Sequence, residues 1–295
     1  KEVSLVGHGA REIFHYNWGP AYGMSVDVGS QRPAWYPALQ IPNYAIGAVE
    51  DYLVDATVPK SKVAILYSQA SDIWAMDNTF SLSGQDGVGL WLILRHLGYP
   101  VDFVEEKDVA AGKLSQDHYK LVICTGSHLL DTALPPLAAW LKGGGVLYLD
   151  PGALTYNQYN APLGFDAIAG ISRQALVYTD NPGAANQFHG LKNLIPVTYG
   201  KETLEALCGY QKQKATPAGA TILATFADGS PAVFTKAVGK GRLEFSGFFT
   251  GLGYQKAAVI TRQERDRVDP DFPSQSSTDW PAAHRALFAT LLKPV

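Results

Sequence analysis

Lys62-Val63-Ala64-Ile65-Leu66-Tyr67-Ser68 is the stretch on which the fold turns. Residues 63–67 form an unbroken apolar run of strand length between two polar residues. A strand with one face in water alternates apolar and polar positions. An unbroken run fits a strand buried on both faces, as in a parallel sheet. Outward from it, Gly87 to Leu97 places Leu90, Trp91, Leu94 and Leu97 on one helical face and stops at Gly98. Val101-Asp102-Phe103-Val104 and Tyr119-Lys120-Leu121-Val122-Ile123-Cys124 read as the next strands. Pro135 to Lys142 reads as a helix closed by Gly143-Gly144-Gly145. Val146-Leu147-Tyr148-Leu149 is a fourth strand, ending at Asp150-Pro151-Gly152. Strands alternating with helices predict an α/β fold with a parallel sheet and right-handed crossovers.

Beyond Gly152 the pattern changes. Residues 153–217 mix Asn, Gly, Pro and Tyr, with short strands expected at Ala175–Tyr178 and Leu194–Val197. Thr221–Phe226, Ala232–Thr235 and Arg242–Phe245 are short apolar runs joined by Asp228-Gly229 and Gly239-Lys240-Gly241. Such turns between such runs predict antiparallel hairpins. Residues 262–280 are charged and rich in Pro and Ser, hence a loop, and Trp280 to Leu292 closes the chain as a helix. At the other end, Glu12 to Pro20 reads as a short strand running into a Gly-Pro loop. Tyr44 to Leu53 carries Ala45, Ile46, Val49, Tyr52 and Leu53 at helical spacing. A lone strand, loop and helix has no sheet to join, so a missing N-terminal part is expected.

Composition narrows the function. The chain has 295 residues, 46% hydrophobic and 17% charged, which is the profile of a globular protein with room for one large domain or two ordinary ones. Its formal net charge of −3 supplies no basic field for nucleic acid or an anionic membrane. No apolar run approaches the ~18 residues of a membrane helix. The two Cys give no disulfide framework and no metal-ligand spacing. Nothing at the N-terminus reads as a signal peptide. Fifteen Tyr and six Trp supply aromatic faces suited to sugar rings. No metal and no cofactor is implied. Compartment stays open.

Several residues invite a catalytic reading. Cys124 precedes Thr125-Gly126-Ser127-His128, and a neighbouring imidazole lowers a thiol pKa. A small buried hydrophobe is the reading favoured here. Glu105 and Glu106 could pass for the paired carboxylates of a glycosidase. Adjacent strand residues point to opposite faces, so a solvated or capping role is expected. Asp266 and Asp269 lie in a charged loop without nameable partners. The seven His show no metal spacing. Gly84-Gln85-Asp86-Gly87-Val88-Gly89 opens a helix but lacks the dinucleotide fingerprint, so a structural helix start is expected rather than a phosphate cradle.

Taken together, Val63 to Ser68, Gly98-Tyr99-Pro100-Val101-Asp102-Phe103-Val104-Glu105-Glu106 and Leu114 through Val122 resemble the middle domain of glycoside hydrolase family 42 β-galactosidases. That region is called the β-galactosidase trimerisation domain. Asp228-Gly229-Ser230-Pro231-Ala232-Val233 and Gly239-Lys240-Gly241-Arg242 are similar to its closing hairpin. The resemblance covers roughly residues 60–250 and implies a flavodoxin-like fold related to class I glutamine amidotransferases. His8-Gly9-Ala10 through Trp18-Gly19-Pro20 resembles the last strand of the family's (β/α)8 catalytic barrel, with Tyr44 to Leu53 as its last helix. The implied domains are 1–58, the barrel remnant; 59–255, the trimerisation domain; and 256–295, a C-terminal loop and helix.

The resemblance implies the C-terminal portion of a retaining β-galactosidase, serving oligomerisation and walling an active site. The implied partners are a carbohydrate substrate, further copies in a trimer, and the missing barrel. The family's two catalytic glutamates sit on earlier barrel strands, so no catalytic residue is assigned in this chain. Barrel active sites lie at the C-terminal ends of strands. Asn17, Trp18 and Tyr22 are therefore the expected substrate-binding residues. In the amidotransferase relatives the nucleophile follows the next strand, where this chain has Asp150 and Pro151, so that chemistry is expected to be absent. Two alternatives stay open. One is a stand-alone amidotransferase-like or ThuA-like sugar-metabolism protein, with Cys124 as its candidate nucleophile. The other is a non-catalytic carbohydrate-binding module.

Overall fold

The computed structural model describes residues 2–7, 9–13, 35–58, 60–74, 82–117, 119–174, 194–207, 214–216, 218–258 and 280–293. Its contacts divide the chain into two units, 1–60 and 61–295.

In the first unit, Glu2–Gly7 (α1), Trp35–Gly47 (α2) and Glu50–Leu53 (α3) are helical. The periodicity expected over Tyr44–Leu53 falls on the end of α2 and on α3, with a turn between. Tyr44, Val49 and Tyr52 stand exposed there. The end of α3 is held by Arg11, whose guanidinium donates to the carbonyls of Leu53 at 2.5 Å and Ala56 at 2.8 Å. Helix α1 had no sequence signal. Most of the strand expected near Ile13–Tyr16 lies outside the described residues.

The second unit is a mixed α/β structure around one nine-stranded sheet. Its strands are Val63–Tyr67 (β1), Asp102–Glu105 (β2), Leu121–Cys124 (β3), Val146–Leu149 (β4), Leu194–Tyr199 (β5), Glu202–Leu207 (β6), Thr221–Phe226 (β7), Pro231–Val238 (β8) and Gly241–Ser246 (β9). Their order across the sheet is β2-β1-β3-β4-β9-β8-β7-β5-β6. From β2 to β9 neighbours run parallel, with Ile65 level with Phe103 and Ile123, and Leu149 level with Cys124 and Phe245. From β9 to β6 they run antiparallel. The hairpins expected around Asp228-Gly229 and Gly239-Lys240-Gly241 are present, and Gly229 and Gly239 have positive φ, which glycine adopts without a Cβ clash. The segment Ala175–Tyr178 lies outside the described residues.

The unbroken apolar strands have the predicted cause. Ala64, Leu66, Val122, Cys124, Leu147 and Leu149 face one core, which Leu137, Trp140 and Leu141 of a helix at Leu134–Lys142 complete. Val63, Ile65, Leu121, Ile123 and Tyr148 face the other. That second face is covered by Leu82–His96 (α4), Thr250–Ala258 (α5) and Ala282–Leu292 (α6). The C-terminal helix is thus core, with Leu287, Phe288, Leu291 and Leu292 buried.

The glycine run before Leu90 serves packing. Helix α4 begins at Leu82, so Gly84, Gly87 and Gly89 lie inside it rather than at a phosphate-binding start. A Cβ on Gly89 would sit 2.1 Å from the Gly251 carbonyl oxygen, and one on Gly251 would sit 2.2 Å from the Asp86 carbonyl oxygen. Only glycine at both positions lets α4 and α5 approach this closely. Among the described residues no helix is long and apolar enough to cross a membrane.

Candidate functional site

The C-terminal ends of the parallel strands collect the chemistry of the second unit. Strand β1 ends in Tyr67-Ser68 and β2 in Glu105-Glu106. Strand β3 leads into Thr125-Gly126-Ser127-His128, and β4 into Asp150-Pro151-Gly152. The strand order reverses between β1 and β3, and open α/β sheets bind ligands at that point. Two crevices lie here with Tyr67 as their common wall. The larger, about 330 Å3, is lined among others by Tyr67, Asp72, Val88, Trp91, Phe103 and Thr125. The smaller, about 250 Å3, is lined by Ile73, Trp74, Glu105, Lys107 and Gln158 together with Tyr67. Large apolar side chains stand in water around them: Phe103 is 63% exposed, Ile73 59%, Val88 51%, Tyr67 47% and Trp74 44%.

Beneath the smaller crevice lies a buried polar network. Glu105 caps the short helix Glu106–Ala110 through a capping box with Asp108, which is the capping role expected of it. Glu106 departs from that expectation: it is buried, not solvated. Its carboxylate accepts from the backbone N–H of Leu130 at 2.8 Å, the N–H of Ala70 at 3.2 Å and the Ser68 hydroxyl at 3.2 Å. Ser68 and Ser71 each have hydroxyl contacts with the His128 carbonyl, at 2.8 and 3.1 Å. One glutamate thus ties the ends of β1, β2 and β3 together.

His128 itself is enclosed. Its ring stacks on Trp74 at 5.5 Å and 6°, and Tyr156 lies at 5.3 Å. Nε2 contacts Asn160 Oδ1 at 3.1 Å, and Nδ1 contacts Ser127 Oγ at 2.9 Å. An amide oxygen only accepts, so Nε2 carries the proton and Nδ1 accepts from Ser127. Burial lowers the His128 pKa below its ordinary value, against smaller opposing effects of Asn160 and Glu106. The imidazole therefore stays neutral near pH 7.

Cys124 is buried at the end of β3. Burial, and behind it the charge of Asp150, push its thiol well above the ordinary range. A thiolate nucleophile is not available there. The expected nucleophile position holds Asp150, fully buried and paired with fully buried Asp86 of α4. Leu252 N–H donates to Asp86 Oδ1 at 2.7 Å. Asp86 Oδ2 and both Asp150 oxygens face no N–H or O–H donor within hydrogen-bonding geometry. Two carboxyls in this position hold a proton between them. Burial pushes Asp86 up to about 6, and burial together with the Asp86 charge pushes Asp150 well above its ordinary value. The nearby Tyr148 hydroxyl, which also contacts Thr250 at 3.0 Å, acts the other way on Asp150.

The sequence-predicted substrate residues Asn17, Trp18 and Tyr22 lie outside the described residues, as do Asp266 and Asp269. Among the described residues no group of three or more His, Cys, Asp or Glu could hold a metal ion. Sequence reasoning missed Glu106, the His128 enclosure and the Asp86–Asp150 pair. Only the last had a local signal: Asp86 continues the Leu90-Leu94 stripe four residues upstream, which places a carboxyl on the buried face of α4.

A scan against protein-family models and a search of curated proteins find no match. Solved structures do match. A catalytic mutant of Gan42B, a GH42 β-galactosidase from G. stearothermophilus, superposes with a TM-score of 0.64 at 16% identity, over 99% of this chain and 39% of that one. The β-galactosidase from Bacillus circulans sp. alkalophilus gives 0.60 at 13% identity, over 88% and 42%. The cold-adapted β-galactosidase from Rahnella sp. R3 gives 0.59 at 18%, over 85% and 39%. At such identities the likeness is one of fold. The chain spans about two fifths of the length of these enzymes.

Proposed function

We propose that this chain is the C-terminal portion of a β-galactosidase-like glycoside hydrolase. In this reading the α/β unit joins subunits, as a trimer, and walls a sugar site. The observation that carries it is the superposition on GH42 β-galactosidases over 99% of this chain but 39% of theirs. The parallel strand order β2-β1-β3-β4-β9 is that of flavodoxin-like sheets and supports the amidotransferase-like trimerisation domain. The exposed Ile73 and Trp74 at the smaller crevice are the kind of apolar surface that a subunit contact covers. Residues 1–58 take the place of the last barrel strand and helix in this proposal, with Asn17, Trp18 and Tyr22 toward the sugar.

The complete enzyme would retain anomeric configuration with a pair of carboxylates contributed by earlier barrel strands. This chain alone is then inert toward a chromogenic β-galactoside. Native mass spectrometry beside a denaturing run tests the reading. Three copies of a single polypeptide support it, and so does a heavier second polypeptide carrying the barrel. A lone monomer at micromolar concentration, or β-galactosidase activity of the isolated chain, overturns it. The buried, unionised Cys124 counts against the amidotransferase alternative.

A further inference from the structure

The larger crevice, between α4 and the ends of β1 and β2, holds ligand-binding chemistry that subunit association does not require. We propose that it is a binding subsite for a neutral sugar ring, a pyranoside. The proposal stands on the crevice itself and not on the glycosidase reading.

Position comes first. The crevice opens where the strand order reverses, the usual ligand site of an open α/β sheet. Its volume of about 330 Å3 suits a small ligand. Two kinds of group then converge. Tyr67, Trp91 and Phe103 offer ring faces, and Phe103 is 63% exposed although it sits on a sheet strand. Such faces complement the C–H face of a sugar ring. Opposite kinds of contact come from Asp72 and Thr125. The Tyr67 hydroxyl donates to Asp72 Oδ2 at 2.7 Å, which fixes the carboxylate while the residue stays exposed. A fixed carboxylate accepts from sugar hydroxyls, and such charge-assisted bonds are the stronger ones. The Thr125 hydroxyl adds a donor and acceptor at the end of β3.

Charge decides which ligand. Sheets of this kind often bind phosphates at the switch point, but here the surrounding charge is negative. The Tyr67 phenol is pushed up first by its bond to Asp72 and that carboxylate's charge, and further by Glu105 and Glu106. Among the described residues no Lys or Arg lines the crevice, and the nearby Lys107 is paired with Glu105 at 3.2 Å. A phosphate or nucleotide is repelled; a neutral polyol with one apolar face is not.

The test is calorimetric and fluorescence titration of the whole chain with methyl β-galactoside, methyl β-glucoside and galactose 6-phosphate. Saturable binding of a neutral glycoside at about millimolar Kd is expected. Asp72→Ala and Phe103→Ala, both at exposed positions, should each weaken it about tenfold without changing the melting temperature. The 6-phosphate should bind at least about tenfold more weakly than the neutral sugar. Absence of saturable binding, equal affinity for the 6-phosphate, or unchanged affinity in both variants overturns the proposal. A monomer in the native mass spectrum would sink the glycosidase reading and leave this result standing.

Discussion

Replacing Asp86 by Asn should stabilise the protein increasingly as pH rises. Asp86 and Asp150 are both fully buried. Asp86 is held at about 6 against an ordinary 3.8, chiefly by burial, and burial together with the Asp86 charge raises Asp150 well above its ordinary value. The pair therefore keeps a proton in the folded chain at pH values where the unfolded carboxyls have released theirs. Its contribution to stability is complete below about pH 4 and is lost as pH rises through the folded values. Each retained proton costs about 1.4 kcal/mol per pH unit, so Asp86 alone accounts for about 3 kcal/mol between pH 4 and pH 7. Asn keeps an oxygen for the Leu252 N–H and turns its NH2 toward Asp150. Urea unfolding at pH 5, 6, 7 and 8 measures the effect. Trp140 is a suitable reporter, since it is buried and its indole donates to the Tyr119 carbonyl. Between pH 5 and 6 the stability difference between variant and parent should grow by about 1 kcal/mol in favour of Asn, because the folded carboxyl is half ionised at the upper end. A constant offset across this range would show that no proton is held by the pair, and the reasoning would fail.

Three further outcomes follow from the packing. Gly89→Ala should lower the melting temperature by several degrees or prevent folding, because the new methyl meets the Gly251 backbone at 2.1 Å and the overpacking costs about 1–3 kcal/mol or more. Glu106→Ala should cost about 2–4 kcal/mol in urea unfolding, because it leaves the Ala70 and Leu130 N–H groups without their acceptor. In a Cys208→Ser background, Cys124 should resist an aromatic disulfide reagent at pH 8 until denaturant is added, since burial keeps its thiol protonated.

The parallel part of the sheet was legible because its cause is local. Val63–Tyr67 and Val146–Leu149 are apolar throughout since both sheet faces are covered, and their predicted bounds agree with the structure. Thr221–Phe226 was equally clear. The start of α4 was misplaced because Gly84, Gly87 and Gly89 lower helix propensity. The close approach of α5 demands glycine there, and tertiary packing overrides propensity. Sequence periodicity near Tyr44–Leu53 found helices but not their burial: its apolar positions stay largely in water within the first unit.

The candidate site was less legible because its pairs are distant in sequence. Asp86 and Asp150 read separately as a helix residue and a strand end; only the register of β4 and the α4–α5 contact bring them together. Glu106 shows the same limit more sharply. Beside Glu105 it reads as half of an exposed acidic pair, and nothing within several residues says otherwise. Its three donors come from residues 68, 70 and 130, on chain that arrives there only when β1, β2 and β3 align in parallel. The Glu106→Ala variant isolates that point. If Glu106 were merely solvated, as its sequence neighbourhood suggests, removing it would change stability by less than about 0.5 kcal/mol. A loss several times larger would come from two buried N–H groups left unpaired, and it would locate the stabilising role in the topology rather than in the local pattern.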